Sequence, residues 1–268
     1  MRASAQTIFT NVKFSHTETF LLIVYSFVVG FLVSFDNWGK PFDYSQGISN
    51  LVLAFILALL VTFVFVFAQK TMGFLMGVTV ESVVSWKALL LSVLIAFASR
   101  GSVVFFLPPG IISHLKPFSM IGRRPYQFSV RHLSAISLFS VGAMSLLAII
   151  GMNVPLADFM RADLFLICFL TALYALIPIE FFLTIFHFMT ASEPSVHVTE
   201  FGAKHEHAKP VSMGSLLLYG SRTRYVFALI LVAASSIALF TSGIIFAFLF
   251  AVFVATLGMI VYFLKSEI

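Results

Sequence analysis

The chain has 268 residues, of which 60% are hydrophobic and only 10% are charged. A soluble domain carries about 25% charged residues, so this chain has too few charges to cover a soluble core with a polar shell. The net charge of +5 forms no stripe of Lys and Arg alternating with exposed aromatic residues, which argues against nucleic-acid binding. The single cysteine, Cys168, excludes an internal disulfide. The composition therefore indicates an integral membrane protein.

Long apolar runs predict the elements that cross the membrane. A spanning helix needs about 20 predominantly apolar residues. Six runs approach or exceed that length: residues 20–35, 48–68, 133–154, 164–189, 225–240 and 244–264. A further apolar stretch, residues 88–115, is broken by Ser99-Arg100-Gly101 and by Pro108-Pro109-Gly110, so neither half reaches the length of a span. The sequence predicts an all-α polytopic membrane protein with about six transmembrane helices and one broken re-entrant segment.

These runs divide one transmembrane domain, residues 1–268, into three parts. Residues 1–190 form the core, residues 191–224 a cytoplasmic loop, and residues 225–264 a C-terminal helical hairpin with a tight turn at residues 241–243. The leader, residues 1–18, is too long and too polar for an ordinary cleaved signal peptide. We therefore expect the first span to be retained.

The distribution of Lys and Arg predicts the orientation in the cell membrane. With the amino terminus in the cytoplasm and residues 88–115 returning to their own side, the outer loops are residues 36–46, 155–163 and 241–243. They contain only Lys40 and Arg161 among the basic residues, whereas the inner segments contain nearly all the others. Because short cytoplasmic loops are enriched in Lys and Arg, this model places both termini in the cytoplasm. A full crossing by residues 88–115 would move the later basic loops to the outside.

Several short motifs occur in an order typical of a known family. They are Phe14-Ser15 and Glu18 before the first span, Ala68-Gln69-Lys70 and Gly73 after the second, Leu107-Pro108-Pro109-Gly110 in the broken segment, the basic lead-in to the span at Leu133, and Leu176-Ile177-Pro178 in the run at residues 164–189. In this order and spacing, the chain resembles the site-2 protease family of intramembrane zinc metallopeptidases, in its small prokaryotic, archaeal-type branch. The resemblance covers residues 13–189.

The resemblance implies that the catalytic groups are missing. In the family, a His-Glu-x-x-His motif on the second span supplies two zinc ligands and a general base, and it corresponds here to Leu60, Val61 and Val64. The aspartate ligand of the family, placed by aligning Pro178, corresponds to Leu183. Aliphatic side chains cannot hold Zn²⁺ or polarise water. The resemblance therefore implies a pseudoenzyme with no catalytic residues and no cofactor.

Three functions remain open at this point. The leading hypothesis is an accessory or structural subunit of a larger complex, with other integral membrane proteins and membrane lipids as partners. The second is a transporter or channel-like protein that uses Glu180 and the broken segment, since ionisable residues inside membrane spans are commonly functional. The third is an active intramembrane metalloprotease with a rearranged metal site.

Few polar residues are candidates for a site. Glu180, in the run at residues 164–189, could form a polar or ion site with Arg100 or His187, or it could simply pair with one of them to hold the helices together. His197, His205 and His207 are weak metal-ligand candidates, for which a solvated loop is the favoured interpretation.

Two further sets of residues predict surface contacts. Basic residues flanking the broken segment are expected to contact lipid headgroups: Lys116, Arg123, Arg124 and Arg131. Stripes of small residues in the runs at residues 133–154 and 225–240 are expected to pack against a partner helix, because small residues allow close approach in lipid: Gly142, Ala143 and Ser145, and Ala233, Ala234, Ser235 and Ser236.

Single-cysteine labelling tests this topology. In a Cys168→Ala background, we expect Gly39→Cys to react from the outer face, and Met120→Cys and Lys209→Cys to react only from the cytoplasmic face, because of the Lys and Arg bias. Modification of Met120→Cys from outside would show that residues 88–115 cross the membrane, and the six-span topology would be wrong.

Overall fold

A computed structural model of the protein describes residues 14–38, 43–76, 78–115, 130–155, 157–178 and 212–237. The helices and strands in these ranges are α1 (His16–Ser34), α2 (Tyr44–Leu75), β1 (Val78–Val83), α3 (Trp86–Ala98), β2 (Gly110–Leu115), α4 (Val130–Asn153), α5 (Asp158–Ala175), α6 (Met213–Gly220) and α7 (Arg222–Ile237). In these ranges, three helical segments are long and apolar enough to cross a membrane: His16–Ser34, Tyr44–Leu75 and Leu133–Asn153. The protein is therefore mostly helical, with helices suited to a bilayer.

The first two helices form a closely packed antiparallel pair. At Gly30 of α1, an added Cβ atom would lie 2.7 Å from the backbone of Phe55 in α2, so only glycine permits this approach. The Asp43 carboxylate caps α2 by accepting from the backbone N–H groups of Ser45 and Gln46. At 32 residues, α2 is about 48 Å long, which exceeds the roughly 30 Å hydrocarbon core of a bilayer.

A two-stranded antiparallel sheet corrects the all-α prediction. In β1 paired with β2, Val78 lies opposite Leu115 and Val83 lies opposite Gly110. The side chains of β1 alternate between buried and exposed, a period of two that suits the β-branched residues at its start. The sequence analysis assigned residues 78–83 to no element and merged residues 110–115 into an apolar stretch. It therefore missed both strands.

The strand pairing brings both ends of the broken segment together. Because Val83 lies opposite Gly110, residues 84–109 begin and end at the same place in the structure. Between these points, α3 runs along α1 until Phe97 contacts Phe31 and Phe35. The chain then returns without regular secondary structure, and Phe106 packs edge-on against Tyr25. Both ends of residues 84–109 thus lie at the same end of the bundle.

The tip of this excursion is a left-handed turn. Both Arg100 (φ 54°) and Gly101 (φ 80°) have positive φ. The N–H of Gly101 donates to the carbonyl of Ala96, and the N–H of Arg100 donates to that of Phe97, which is the Schellman pattern that ends many helices. The position after the helix cap normally favours glycine, because a Cβ atom strains the left-handed conformation.

Helices α4, α5 and α7 complete the bundle. Of these, α4 and α5 pack against α2, and α7 packs against α4 and α5. The side chain of Arg224 in α7 donates to Ser134 Oγ of α4 at 2.8 Å, and Gly142 of α4 faces Leu231 of α7. Ala234 is also buried within the chain. Within these stripes, Ser145, Ala234 and Ser235 are therefore buried inside the chain itself, which corrects their assignment to a partner surface, whereas Ala233 is exposed.

The end of the predicted loop at residues 191–224 contains a buried helix, α6, which the sequence did not predict. Met213, Leu216 and Leu217 on this helix are almost fully buried. An added Cβ at Gly214 would lie 2.4 Å from the carbonyl oxygen of Leu176. This short apolar helix was missed because eight residues are too few to give a recognisable periodic pattern.

The two ends of the bundle separate the predicted loops. We call the end that carries β1 and β2 the sheet end, and the opposite end the far end. Residues from both long predicted outer loops, including Asn37 and Asp163, line one cleft at the far end. The amino-terminal end of α1, the carboxyl-terminal end of α2 and α6 meet at the sheet end. The described parts of these two predicted outer loops therefore lie together, at the end of the bundle away from the sheet.

Replacing Arg100 by glycine is expected to stabilise the protein by about 1 kcal/mol, because it removes the strain of a left-handed non-glycine residue. Thermal unfolding in detergent measures the change. Ala98→Gly is the matched control, and it should destabilise the fold because glycine lowers helix stability. A loss of stability in Arg100→Gly would show that the Arg100 side chain forms contacts that outweigh the strain.

Candidate functional site

A buried ion pair lies at the centre of the sheet end. The Lys70 ammonium is 2.8 Å from the Glu18 carboxylate, and both side chains are about 95% buried. Glu18 lies in the first turn of α1, where the helix dipole favours a negative charge. Lys70 lies near the end of α2, with its ammonium 4.8 Å from the centre of the Phe14 ring, a cation–π contact. The pair therefore connects α1 to α2 at one level of the bundle.

Both members of the ion pair also bind the backbone of β1. The Ser82 N–H donates to Glu18 Oε1 at 2.9 Å, and Lys70 Nζ donates to the Val80 carbonyl oxygen at 3.1 Å. Charges removed from water are costly unless their remaining hydrogen-bonding capacity is used. These two bonds use that capacity, so the ion pair fixes the strand to the two helices.

A neighbouring amide extends the network to α6. Gln69 is fully buried, and its Oε1 accepts from the Ser82 hydroxyl at 2.7 Å. Its Nε2 donates to the sulfur of Met213 at 3.6 Å, a weak bond because a thioether is a poor acceptor. The network thus runs from α1 through α2 and β1 to the first residue of α6.

The proposed protease positions do not form a site in this structure. The Leu60 side chain is 48% exposed on the outside of α2, whereas Val61 is 1% exposed and packs in the core. Val64 is half-buried against that core. A ligand at position 60 would point away from the bundle, so the structure does not direct the three aligned positions of α2 to a common interior point.

The other sequence candidates fall in two groups. Arg100 is exposed at the turn after α3, and its side chain has no hydrogen-bond or ion-pair partner within the described residues. Arg131 belongs to the first turn of α4. The remaining candidates lie outside the described residues: Glu180, His187, Leu183, His197, His205, His207, Lys116, Arg123 and Arg124.

The ion pair itself was not predicted from the sequence. Glu18 and Gln69-Lys70 appear there only within the family resemblance, and Ser82 belongs to none of its motifs. One signal was available, because Glu18 precedes one apolar run and Lys70 follows the next antiparallel one, which places opposite charges at the same level. The contribution of Ser82 depends on the strand pairing, which the sequence analysis did not predict.

A second polar region is an open cleft of about 670 Å³ at the far end. It is lined by Asp36, Asn37, Gln46, Asn50, Phe159, Ala162 and Asp163. The side chain of Asn50 donates to the carbonyl of Asn37 at 2.7 Å, which joins the start of α2 to the end of α1. Partial burial raises the pKa of Asp163. The cleft is wide and mostly formed by exposed residues, so it lacks the enclosure of a ligand pocket.

Metal chemistry has no support in the described part of the chain. There, no group of three or more His, Cys, Asp or Glu residues lies close enough together to hold a metal ion. Glu18 is already bound to Lys70 and to Ser82. The network at the sheet end is therefore suited to fixing helices and a strand rather than to acid–base work.

Comparisons with protein-family models, curated proteins and solved structures give no match to this chain. The resemblance to the site-2 protease family therefore remains a prediction from the motifs. The structure adds one observation to it: Phe14, Glu18, Gln69 and Lys70, which belong to those motifs, lie in or against a single buried network.

Removing one charge of the ion pair is expected to destabilise the protein by about 3–5 kcal/mol, because the other charge remains buried and unpaired. Glu18→Leu and Lys70→Met should each lower the free energy of unfolding, and the sum of these two losses should exceed the loss in the double variant. The difference, which is the coupling energy of the pair, should be at least about 1 kcal/mol. Denaturant unfolding in detergent measures all three variants. The exposed Lys87, replaced by Met, is the matched control, and its effect should stay within about 0.5 kcal/mol. Additive losses would contradict a direct Glu18–Lys70 interaction.

Proposed function

We propose that the protein is a non-catalytic subunit of a larger membrane protein complex, built on a scaffold of about six spans. The observation that supports this proposal most strongly is the use of the buried polar groups. Glu18, Lys70, Gln69 and Ser82 bind one another and the backbone of β1, which favours a structural role. The aliphatic side chains at the positions aligned with zinc ligands point to the same conclusion.

The proposed membrane orientation has the sheet end in the cytoplasm and the far end outside. The Lys and Arg distribution supports this orientation. Exposed aromatic residues at the two ends are also consistent with it, because Trp and Tyr favour the membrane–water interface. Trp86 and Tyr219 are exposed at the sheet end, and Tyr44 is exposed at the far end. In this orientation, residues 84–109 enter from the cytoplasmic side and return to it.

The proposed partner surface is the outward face of α2. Large apolar side chains follow one another on this face at helical spacing: Ile48, Val52, Ile56, Leu59, Leu60 and Phe63. Lipid can cover such a face, so hydrophobicity alone does not drive association there, and shape-matched packing must supply the affinity. Because α2 is longer than a bilayer requires, a partner helix can also contact it beyond the hydrocarbon core.

A transporter is the second candidate, and it would need polar groups that face a water-filled path. At the sheet end, Glu18, Lys70, Gln69 and Ser82 are buried and bonded to one another, which favours the subunit proposal. An active metalloprotease would need a zinc site built outside the described ranges. The subunit, the transporter and the metalloprotease can therefore be distinguished on one purified sample, by its co-purifying proteins and by its zinc content.

Purification from native membranes in mild detergent tests the proposal. We expect at least one other integral membrane protein to co-purify in a fixed ratio. Ile56→Trp, on the outward face of α2, should lower the amount of co-purified partner at least about tenfold, since a shape-matched interface tolerates added volume poorly. The chain should remain folded, because Ile56 is 53% exposed.

Two variants provide the controls. Leu94→Trp, on the exposed face of α3, should leave the partner bound. Ala234→Trp should destabilise the chain itself, because Ala234 is buried between its own helices. A lone monomer in detergent and in nanodiscs would contradict the subunit proposal and favour a transporter. One equivalent of zinc per chain would instead favour the metalloprotease.

A further inference from the structure

The edge of β1 that faces away from β2 presents two backbone groups side by side. The Val80 carbonyl and the Ser82 N–H both bind groups outside the sheet, so both point away from β2. In a parallel pair of strands, one residue of the neighbouring strand donates its N–H to one such carbonyl and accepts from the N–H two residues later. The two groups flanking Glu81 are therefore those that one residue of an added parallel strand would bind.

The Glu18–Lys70 pair occupies the place of that residue. The Lys70 ammonium donates to Val80 as a backbone N–H would, and the Glu18 carboxylate accepts from Ser82 as a backbone carbonyl would. We propose that this ion pair is a strand surrogate, which closes the β1 edge against pairing with an extended segment of another chain. Its arrangement of donor and acceptor, rather than its charge alone, then performs the role.

The end of α2 covers the rest of the same edge. An added Cβ at Gly73 would lie 2.4 Å from Val80 Cγ2 and 3.2 Å from the Val78 carbonyl oxygen. The edge is thus covered next to Val78 by close helix packing and at Val80 and Ser82 by the ion pair. Open strand edges promote unwanted association, which favours such a seal.

Two variants distinguish the strand-surrogate role, which depends on the positions of the donor and the acceptor, from a role in charge neutralisation alone. In Glu18→Gln, the side-chain amide oxygen still accepts from Ser82, and Lys70 still donates to Val80. In the charge-swapped variant, Glu18→Lys with Lys70→Glu, a donor faces the Ser82 N–H and an acceptor faces the Val80 carbonyl. If the ion pair only neutralised charge, the charge-swapped variant would keep the protection of the Ser82 amide, and Glu18→Gln would lose it.

Amide hydrogen exchange of Ser82 tests the proposal by NMR on full-length protein in nanodiscs. All Ser82 rates are taken relative to the Gln69 rate, which follows the loss of stability that removing one charge causes. On that scale, we expect Glu18→Gln to exchange within about threefold of the native ratio. The charge-swapped variant and the double variant Glu18→Ala with Lys70→Ala should exchange at least about tenfold faster, since each lacks the bond to the carboxylate. Loss of folding in the charge-swapped variant alone, with Glu18→Gln folded, also supports the proposal.

Two results would overturn it. One is native protection of Ser82 in the charge-swapped variant, which would show that charge balance suffices. The other is exchange in Glu18→Gln as fast as in the double alanine variant, which would show that the acceptor geometry contributes nothing. The exchange of Gln69 serves as an internal reference, because its helical backbone N–H bond is untouched by these changes.

Discussion

A buried charge in a membrane protein must have a partner, and at the sheet end this constraint determines how the elements meet. Glu18 and Lys70 are each costly to bury alone. Once paired, they hold the start of α1 and the end of α2 at the same level. Their remaining hydrogen-bonding capacity is used by the backbone of β1, and the adjacent Gln69 extends the network to α6. The sheet end thus depends on a single pair of opposite charges.

The general organisation was predictable because hydropathy acts over long segments. The three candidate spans lie within or across predicted apolar runs, and the breaks at Gly101 and Pro109 correctly indicated an interrupted segment. Apolar runs and the breaks within them extend over ten or more residues, so they can be read from the sequence without knowing any tertiary contact.

The missed features depend on contacts between distant residues. The sheet exists because residues 78–83 pair with residues 110–115, and neither stretch is long enough to indicate a strand with certainty on its own. The inward packing of Ala234 could not be known without the position of α4. The ion pair required both the helix pairing and the strand. Of the candidate site residues, Arg100 is the clearest case of a residue that the sequence marked as unusual and the structure explains by a turn.

Three residues of the motifs that resemble the site-2 protease family have structural roles in this protein. The motif residues Glu18, Gln69 and Lys70 support the fold through mutual bonds, so they have a physical reason to be present whether or not a metal site ever accompanied them. The predicted loss of catalysis concerns Leu183, which lies outside the described residues, and α2 positions 60, 61 and 64, where Leu60 faces outward and Val61 packs in the core. Among the described residues, the sheet-end network thus supports the fold, and the proposed role in holding a partner helix requires no chemistry from it.

Water access to position 61 is the most direct test of this account. Val61→Cys, in a Cys168→Ala background, can be treated in membrane vesicles with a small water-soluble thiol reagent from either side, with Glu81→Cys as the exposed control. The account predicts that the cysteine at position 61 stays unmodified until the protein is denatured, because that position lies in dry helix packing. Modification of the native protein at a rate near that of the control would reveal a water-filled path to α2 and would contradict the account.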